Sequence, residues 1–377
     1  MSRTTSGTTM TTSGTTMTTS GTTMTTSGTT MTTSGTTRTT TAVRGSGEAT
    51  LADLALPDAV RAAIGRELRD LPDPGADPDR ATARCHQVFA QLPLELLRSV
   101  LDFGRHHDTP GVALVRNLPV DAETGPTPLD GGPGRGKSGF VSEGVLLGLS
   151  GLLGEPLGVL TEKAGRLIHD VVPVAGGERT QTNQSSAVFL NFHSDITYDA
   201  TGRYDRANPD FLVLNCLRAD PSGDAVTYYA DARDICGQLP PGALELLRGP
   251  YFRLNAPGSY TRSVAGGAEV LSEPVPIISG GGAHPEITVS ANGVRALNRD
   301  AAAAFERLQE TCRAVAHAVR LEPGQALLVN NRKGVHARSP FGARHDGRDR
   351  WLQRTYVRRS LWDIRYRVTP QDRRVYF

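Results

Sequence analysis

From Gly158 onward the chain breaks into short apolar runs separated by turn residues, and this pattern most narrows the folds open to it. FLVLNCL (211–217), AVTYYA (225–230), PVPIIS (274–279), EITVS (286–290), QALLVNN (325–331) and WLQRTYVRR (351–359) have strand length and β-type composition, and Gly, Pro, Asn or Asp residues lie between them. One clear helix, DAAAAFERLQETCRAVAHAV over 300–319, interrupts them. Upstream, 57–71, 80–104 and FVSEGVLLGLSGLLG carry apolar residues every three or four positions, and VALVRNLP (112–119) reads as a first buried strand. Helices framing a mostly antiparallel core predict a mainly β fold with flanking helices. The expected core is a double-stranded β-helix, the jelly-roll or cupin type of sheet pair.

The N-terminus belongs to another regime. From Thr4 the heptapeptide TTSGTTM occurs four times, and a fifth copy ends in Arg38. A period of seven invites a coiled coil, but Met is the one apolar residue per repeat, so no seam exists to bury. So little apolar surface cannot offset chain entropy, and residues 1–47 are expected to be disordered. A single catalytic domain is expected over 48–377. The Gly- and Pro-rich stretch Ala122–Lys137 reads as a loop. Its GGPGRGK lacks the GxxxxGK[ST] spacing and no strand feeds it, so it is not read as a phosphate cradle.

Charge and cysteine usage exclude several classes. Lys plus Arg number 41 against 39 Asp plus Glu, a net charge of +2, so no overall field favours nucleic acid or an anionic membrane. No apolar run approaches the roughly 18 residues that a membrane-spanning helix needs, and the N-terminus has no apolar signal region. Cys85, Cys216, Cys236 and Cys312 are far apart and form no CxxC pair. A reduced, cytoplasmic location is the expectation.

The chemistry concentrates in His193-Ser194-Asp195. Residues i and i+2 of a strand point to the same face, so one imidazole and one carboxylate can chelate a single ion. A third donor, His336, follows 141 residues after Asp195 in NNRKGVHARSPF. Two His and one carboxylate form a facial triad that leaves positions open on iron(II). HxD alone is common, and is ordinarily a surface imidazole beside a solvated carboxylate. The spacing beyond it sharpens the reading: Arg350 lies 14 residues after His336, where the next strand begins. A guanidinium there can grip, through two parallel hydrogen bonds, a carboxylate bound near the metal. Arg354, four residues on, shares that face and leaves Gln353 on the other. The alternative for both arginines is a solvated basic face, as expected of Arg358 and Arg359.

These residues carry a resemblance. PGQALLVNNRKGVHARSPFGARHDGRDRWLQRTYVRRS (323–360) resembles the C-terminal signature of the clavaminate synthase-like branch of the taurine dioxygenase superfamily of iron(II)/2-oxoglutarate oxygenases. A second match runs from FLNFHSD to PDFLVLNCLRAD (189–220), and weaker similarity includes LGEPLG and IHDVVPV. The resemblance implies that His193, Asp195 and His336 hold Fe(II), that Arg350 meets the distal carboxylate of 2-oxoglutarate, and that Thr227 hydrogen-bonds this cosubstrate. It places Arg354 near the cosubstrate or the substrate carboxylate. Ser185 and Ser186 lie where relatives build part of the amino-acid pocket.

Two departures from the family matter. HTE is frequent at the first ligand pair, whereas this chain has Asp195, one methylene shorter. Because a carboxylate is present, no position is vacated for chloride, which argues against a halogenase. The connection ITYDATGRYDRAN is longer than in relatives and is expected to lid the site, with Asp199, Tyr204 or Asp205 near substrate. ITVSANGVRALN (287–298) has none of the acidic residues with which arginine hydroxylases hold a cationic side chain, though Glu162 or Asp199 could substitute.

The implied reaction consumes 2-oxoglutarate and O2, releases succinate and CO2, and hydroxylates an unactivated C–H of a free L-amino acid or close derivative in natural-product metabolism such as antibiotic biosynthesis. Desaturation, cyclisation or sulfonate oxidation on the same site, and a non-catalytic cupin-like metal-binding protein or a zinc hydrolase, stay open at this point. The implied partner is a small amino-acid-like molecule, with neither nucleic acid nor membrane involved.

Overall fold

The β-type runs close on one another as two facing sheets. In the computed structural model, which describes residues 51–198, 203–205, 208–368 and 373–375, the strands that build them are β1 (Ala52–Ala55), β2 (Val112–Arg116), β3 (Glu155–Val159), β4 (His169–Val171), β5 (Leu190–His193), β6 (Phe211–Arg218), β7 (Thr227–Asp231), β8 (His317–Val319), β9 (Ala326–Asn330), β10 (Gly334–Arg338), β11 (Trp351–Arg358) and β12 (Arg374–Val375). The larger sheet runs β1-β2-β9-β6-β11-β3-β12, with β4 also paired to β11, and the smaller runs β8-β7-β10-β5. Pairing is antiparallel except for β1 with β2 and β3 with β12. The two sheets form the expected double-stranded β-helix core. The described residues lie in one compact unit, Val43–Phe377; the heptapeptide repeat lies outside them.

Alternation along β6 shows how the layers form. Phe211 and Val213 face the helices, whereas Leu212, Leu214 and Cys216 face the opposite sheet. Over the outer face of the larger sheet pack α1 (Asp58–Leu68), α2 (Pro78–Phe89), α3 (Leu94–Arg105) and α4 (Val141–Leu153). Helix α4 is buried on all sides from Ser142 to Leu153, as its largely apolar sequence favours. Gly148 lets it approach α2: a side chain there would begin 2.1 Å from the Phe89 ring. Helices α5 (Ala232–Gln238), α6 (Pro241–Arg248), α7 (Gly258–Ser263) and α8 (Arg299–Val315) cover the smaller sheet through Ile235, Leu247, Tyr260 and Leu308. Each such fully buried Leu or Ile contributes about 1.5–3 kcal/mol.

Three predicted elements differ from the structure for local reasons. The helix expected over 80–104 is two helices, because Pro93 disfavours helical geometry at the residue before it; α2 ends at Phe89 and α3 restarts at Leu94. The helix expected over 300–319 ends at Val315, and His317–Val319 pair instead with Thr227–Tyr229. Of 274–279 and 286–290, Ile278–Ser279 and Glu286–Ile287 pair with each other. Pro274 and Pro276 carry no ladder donor.

The predicted loop 122–137 contains no helix or strand. Its terminal Lys137 is buried and paired with Asp121 (2.9 Å) and Glu143 (2.5 Å), so the cation is occupied inside the fold. Asp121 also caps α4 by accepting from the Val141 N–H at 2.9 Å.

Candidate active site

The site is built where β5 and β10 run side by side. His193 and His336 are direct antiparallel partners, with ring centroids 4.2 Å apart, and Asp195 lies just beyond the end of β5. Each of the three offers one donor atom, and these atoms lie within 4.8 Å of one another. His193 Nδ1 donates to the Asn191 carbonyl at 2.7 Å, which leaves Nε2 as a free lone pair. Burial pushes both imidazoles toward the neutral form, His336 down to about 3 with His193 beside it.

Two buried atoms, Asp195 Oδ2 and His336 Nδ1, have no hydrogen-bond partner among the described residues. His336 Nε2 lies 3.6 Å from the orphaned carboxylate oxygen. Neutral imidazoles converging on an unsatisfied carboxylate oxygen are the donor set that divalent iron takes, so the residues present fit the metal. Asn331 fixes the backbone of the third donor: its Oδ1 accepts from the Asp195 N–H at 2.9 Å and its Nδ2 donates to the Asp195 carbonyl at 2.8 Å.

Arg350, just before β11, and Leu352, Arg354 and Tyr356 on it line one cavity of about 340 Å³ that also contains His193, Asp195 and His336. Gln353 faces the other way and donates to Glu143 of α4 at 2.8 Å. Arg350 is 6% exposed, and its Nη2 reaches Thr227 Oγ1 at 3.4 Å. Among the described residues no carboxylate lies within ion-pair distance of it. Arg338, directly across from Thr227, packs over the same Phe341 ring as Arg350 and spends its donors on carbonyls of Val188 and Ser339 and on Ser185. Burial, with the Arg350 charge added, pushes the Arg338 pKa down to about 9. Two guanidiniums without an ion-pair partner among the described residues thus share one wall of the cavity.

Arg354 is paired within the protein through both terminal nitrogens, while its buried Nε has no partner among the described residues. Its Nη2 donates to Glu162 Oε1 at 2.6 Å and to His169 Nδ1 at 3.1 Å, and its Nη1 reaches Asp195 Oδ1 at 3.4 Å. The Tyr356 hydroxyl lies 3.0 Å from both Glu162 Oε2 and Asp195 Oδ1. Burial raises the Glu162 carboxyl, but Arg354 and His169 outweigh it and hold it well below the usual carboxylate range. Oδ1 of Asp195 is therefore engaged while Oδ2 stays bare.

The remaining predicted residues fall into different places. Glu162 is in the cavity wall. Ser185 and Ser186 are buried but are not in it; Arg338 draws Ser185 inward, and Gln181, Thr182, Asn183 and Gln184 form that wall instead. Asp199 lies outside the described residues, as does the side chain of Asp205. Ile196, Thr197 and Tyr198 line the cavity, and Thr197–Tyr198 pair with Tyr204–Asp205. Tyr204 accepts from Asn208 Nδ2 at 2.8 Å. Asn331, Arg338, His169 and Tyr356 are additions from the structure. Arg338 and Tyr356 each stand two residues after an assigned position on the same strand, a spacing that shares its face but is too ordinary to single them out.

A family model described as the taurine catabolism dioxygenase TauD, TfdA family matches residues 62–356. The chain belongs to this family. Among its relatives, the L-asparagine oxygenase of Streptomyces coelicolor is 36% identical over 274 residues, covering 72% of this chain and 78% of that protein. Clavaminate synthase 2 of Streptomyces clavuligerus is 27% identical over 300 residues, covering 78% and 88%. A crystal structure of asparagine oxygenase with Fe(II), 2S,3S-3-hydroxyasparagine and succinate superposes with a TM-score of 0.77 at 31% identity, over 86% of this chain and 99% of that one. The non-haem iron oxygenase OrfP with Fe and α-ketoglutaric acid gives 0.72 at 25% identity, over 86% and 100%. The TauD/TfdA assignment, within the clavaminate synthase-like branch, makes the chain an Fe(II)/2-oxoglutarate-dependent dioxygenase that uses O2. The non-catalytic and zinc-hydrolase alternatives are set aside.

Proposed function

We propose that this TauD/TfdA dioxygenase hydroxylates an unactivated C–H of a free L-amino acid or close derivative, in a natural-product pathway. Its relatives are named as oxygenases or hydroxylases of asparagine, lysine, enduracididine, ornithine and arginine. In this reading His193, Asp195 and His336 hold iron, and Arg350 with Thr227 receives the distal carboxylate of 2-oxoglutarate. When bound, the metal and the keto acid supply the oxidant from O2, with succinate and CO2 as coproducts. The protein contributes orientation, exclusion of water and fixed charge.

One observation carries the cosubstrate assignment: Arg350 is a buried cation beside the triad with no carboxylate partner among the described residues. An uncompensated buried charge is costly, and a dianionic keto acid compensates it. Arg338, on the same wall, adds positive potential without spending a donor on a carboxylate. Arg354 and Glu162 form a plus–minus pair beside the triad, matched to the carboxylate and ammonium of an amino-acid head group.

Three buried free cysteines, Cys85, Cys216 and Cys312, support a reduced cytoplasmic setting. Among the described residues no helix is long and apolar enough to cross a membrane. The deciding experiment is anaerobic loading with Fe(II) and 2-oxoglutarate, then O2 exposure against an amino-acid panel while succinate is measured. Succinate formation that no amino acid stimulates would refute this reading.

A further inference from the structure

The outer wall of the cavity carries two donors that the assignments above leave unused. Gly258 opens α7 and Arg262 follows one turn later. The point where a side chain at 258 would begin lies 3.2 Å from Arg262 Nη1 and 3.2 Å from Asn292 Nδ2. Two N–H groups therefore converge over a bare glycine, and all three residues line the cavity. Among the described residues neither the Arg262 guanidinium nor the Asn292 side-chain amide has a hydrogen-bond or ion-pair partner.

The amide is held in place by its backbone. The Asn292 N–H donates to Ser290 Oγ at 3.2 Å, its carbonyl accepts from Asn255 Nδ2 at 3.0 Å, and the Asn255 N–H donates to the Gly293 carbonyl at 3.1 Å. The same loop is bonded to the residue between two metal donors. The Ser194 N–H donates to the Val289 carbonyl at 2.9 Å, and the Val289 N–H donates to Ser194 Oγ at 3.0 Å. A donor fixed in this way loses little freedom when a ligand arrives.

Charge on the cavity wall points to the sign of that ligand. Its described residues include five cations, Lys163, Arg262, Arg338, Arg350 and Arg354, against two carboxylates, Glu162 and Asp195. Arg354 is paired, Lys163 donates to the Gly131 carbonyl at 2.7 Å, and a 2-oxoglutarate dianion balances Arg350 and Arg338. Among the described residues Lys163 and the exposed Arg262 are left without an anion, and of the two Arg262 has its donors unspent. A lysine- or arginine-like side chain entering here meets like charge, whereas a carboxylate finds a cation and an amide N–H together.

We propose that Arg262 and Asn292 recognise a carboxylate on the substrate's side chain, so that the preferred substrate is an acidic L-amino acid or a derivative keeping that carboxylate free. This rests on the amino-acid hydroxylase reading, in which Arg354 and Glu162 take the head group.

The test uses the full-length protein loaded with Fe(II) and 2-oxoglutarate. L-aspartate, L-glutamate, their amides, L-ornithine, L-lysine and L-arginine are compared by stimulated succinate formation and, anaerobically, by perturbation of the absorption band of bound 2-oxoglutarate. An acidic amino acid is expected to exceed its amide by about tenfold or more in kcat/KM, the scale of a hydrogen bond to a charged group, with cationic amino acids lower still. Arg262→Gln should raise KM for the acid by about tenfold or more and leave the band before substrate addition unchanged. Arg262→Glu should favour a cationic amino acid over the acid. Preference of the unmodified protein for an amide or cationic side chain, or an acid preference that survives Arg262→Gln, overturns the proposal alone. No response to any amino acid overturns the hydroxylase reading, and the proposal with it.

Discussion

Arg350, at the foot of a strand, and Arg354, within it, line one cavity, yet their surroundings differ in kind. Arg354 has Glu162 at 2.6 Å and Asp195 at 3.4 Å, while Arg350 has a threonine hydroxyl at 3.4 Å and, among the described residues, no carboxylate. The paired arginine belongs to a network that shapes the metal donor Asp195. The unpaired one is a buried cation without a carboxylate among the described residues, which in the proposed assignment a dianionic keto acid would balance. In the proposed reading the two positions take different ligands, the cosubstrate at Arg350 and the substrate's head group at Arg354 with Glu162, and a substitution should reveal which by the ligand whose affinity it moves.

The largest effect should come from removing what both arginines flank. His336→Ala deletes one of three donors, and iron(II) binding is expected to fall by more than the roughly 10- to 100-fold that loss of a supporting partner produces. Equilibrium metal binding under anaerobic conditions checks this, together with loss of the absorption band of the chelated keto acid. A variant that keeps both would show that the triad is misassigned and that the comparison has no metal at its centre.

Arg350→Ala should come next. A hydrogen bond to a charged group is worth about 1.5–3 kcal/mol, so the Kd for 2-oxoglutarate should rise roughly 10- to 150-fold while iron affinity holds. Glu162→Gln addresses the other arginine. It removes the carboxylate charge beside Arg354 and should lower the unfolding free energy by about 1–3 kcal/mol in a denaturant titration, with 2-oxoglutarate affinity unchanged. If Glu162→Gln weakened 2-oxoglutarate as much as Arg350→Ala does, the two arginines would be one site rather than two.

What could be read beforehand follows from which rule governs each residue. The shared face of Arg350 and Arg354 is a consequence of period-two alternation, and the pairing of His193 with His336 follows from two strands that each carry a clear pattern. The same alternation marks Arg338 and Tyr356, but an arginine or tyrosine two residues from an assigned position is ordinary, so nothing in the sequence singles it out. Glu162 reaches Arg354 from a segment without strand periodicity. The two residues after it, Lys163 and Ala164, adopt left-handed φ of 52° and 57°, a turn that only the surrounding packing selects. Ser185 lies behind the wall because Arg338, 153 positions away, takes its hydroxyl, a contact no local rule contains. The periodicity over 80–104 passed over the break that one residue, Pro93, imposes; the end of α8 has no such local cause, because β7 claims His317–Val319 across the sheet.

The smallest effect should sit at Thr227, and it refines the cosubstrate half of the comparison. Its Oγ1 accepts from Arg350 Nη2 at 3.4 Å, a long bond, so its direct contribution to fixing the guanidinium is at the low end of the roughly 0.5–1.5 kcal/mol range. Thr227→Val keeps the β-branched shape that the buried strand position favours and removes the hydroxyl alone. If the hydroxyl serves only Arg350, the Kd for 2-oxoglutarate should rise by about two- to threefold. If it also bonds the cosubstrate itself, the rise should approach the roughly tenfold at the upper end of that range. In the Arg350→Ala background the first role predicts no further loss from Thr227→Val, because the partner is already gone, and the second predicts that the loss persists. A double-mutant cycle on 2-oxoglutarate binding therefore separates a residue that aims the arginine from one that touches the keto acid.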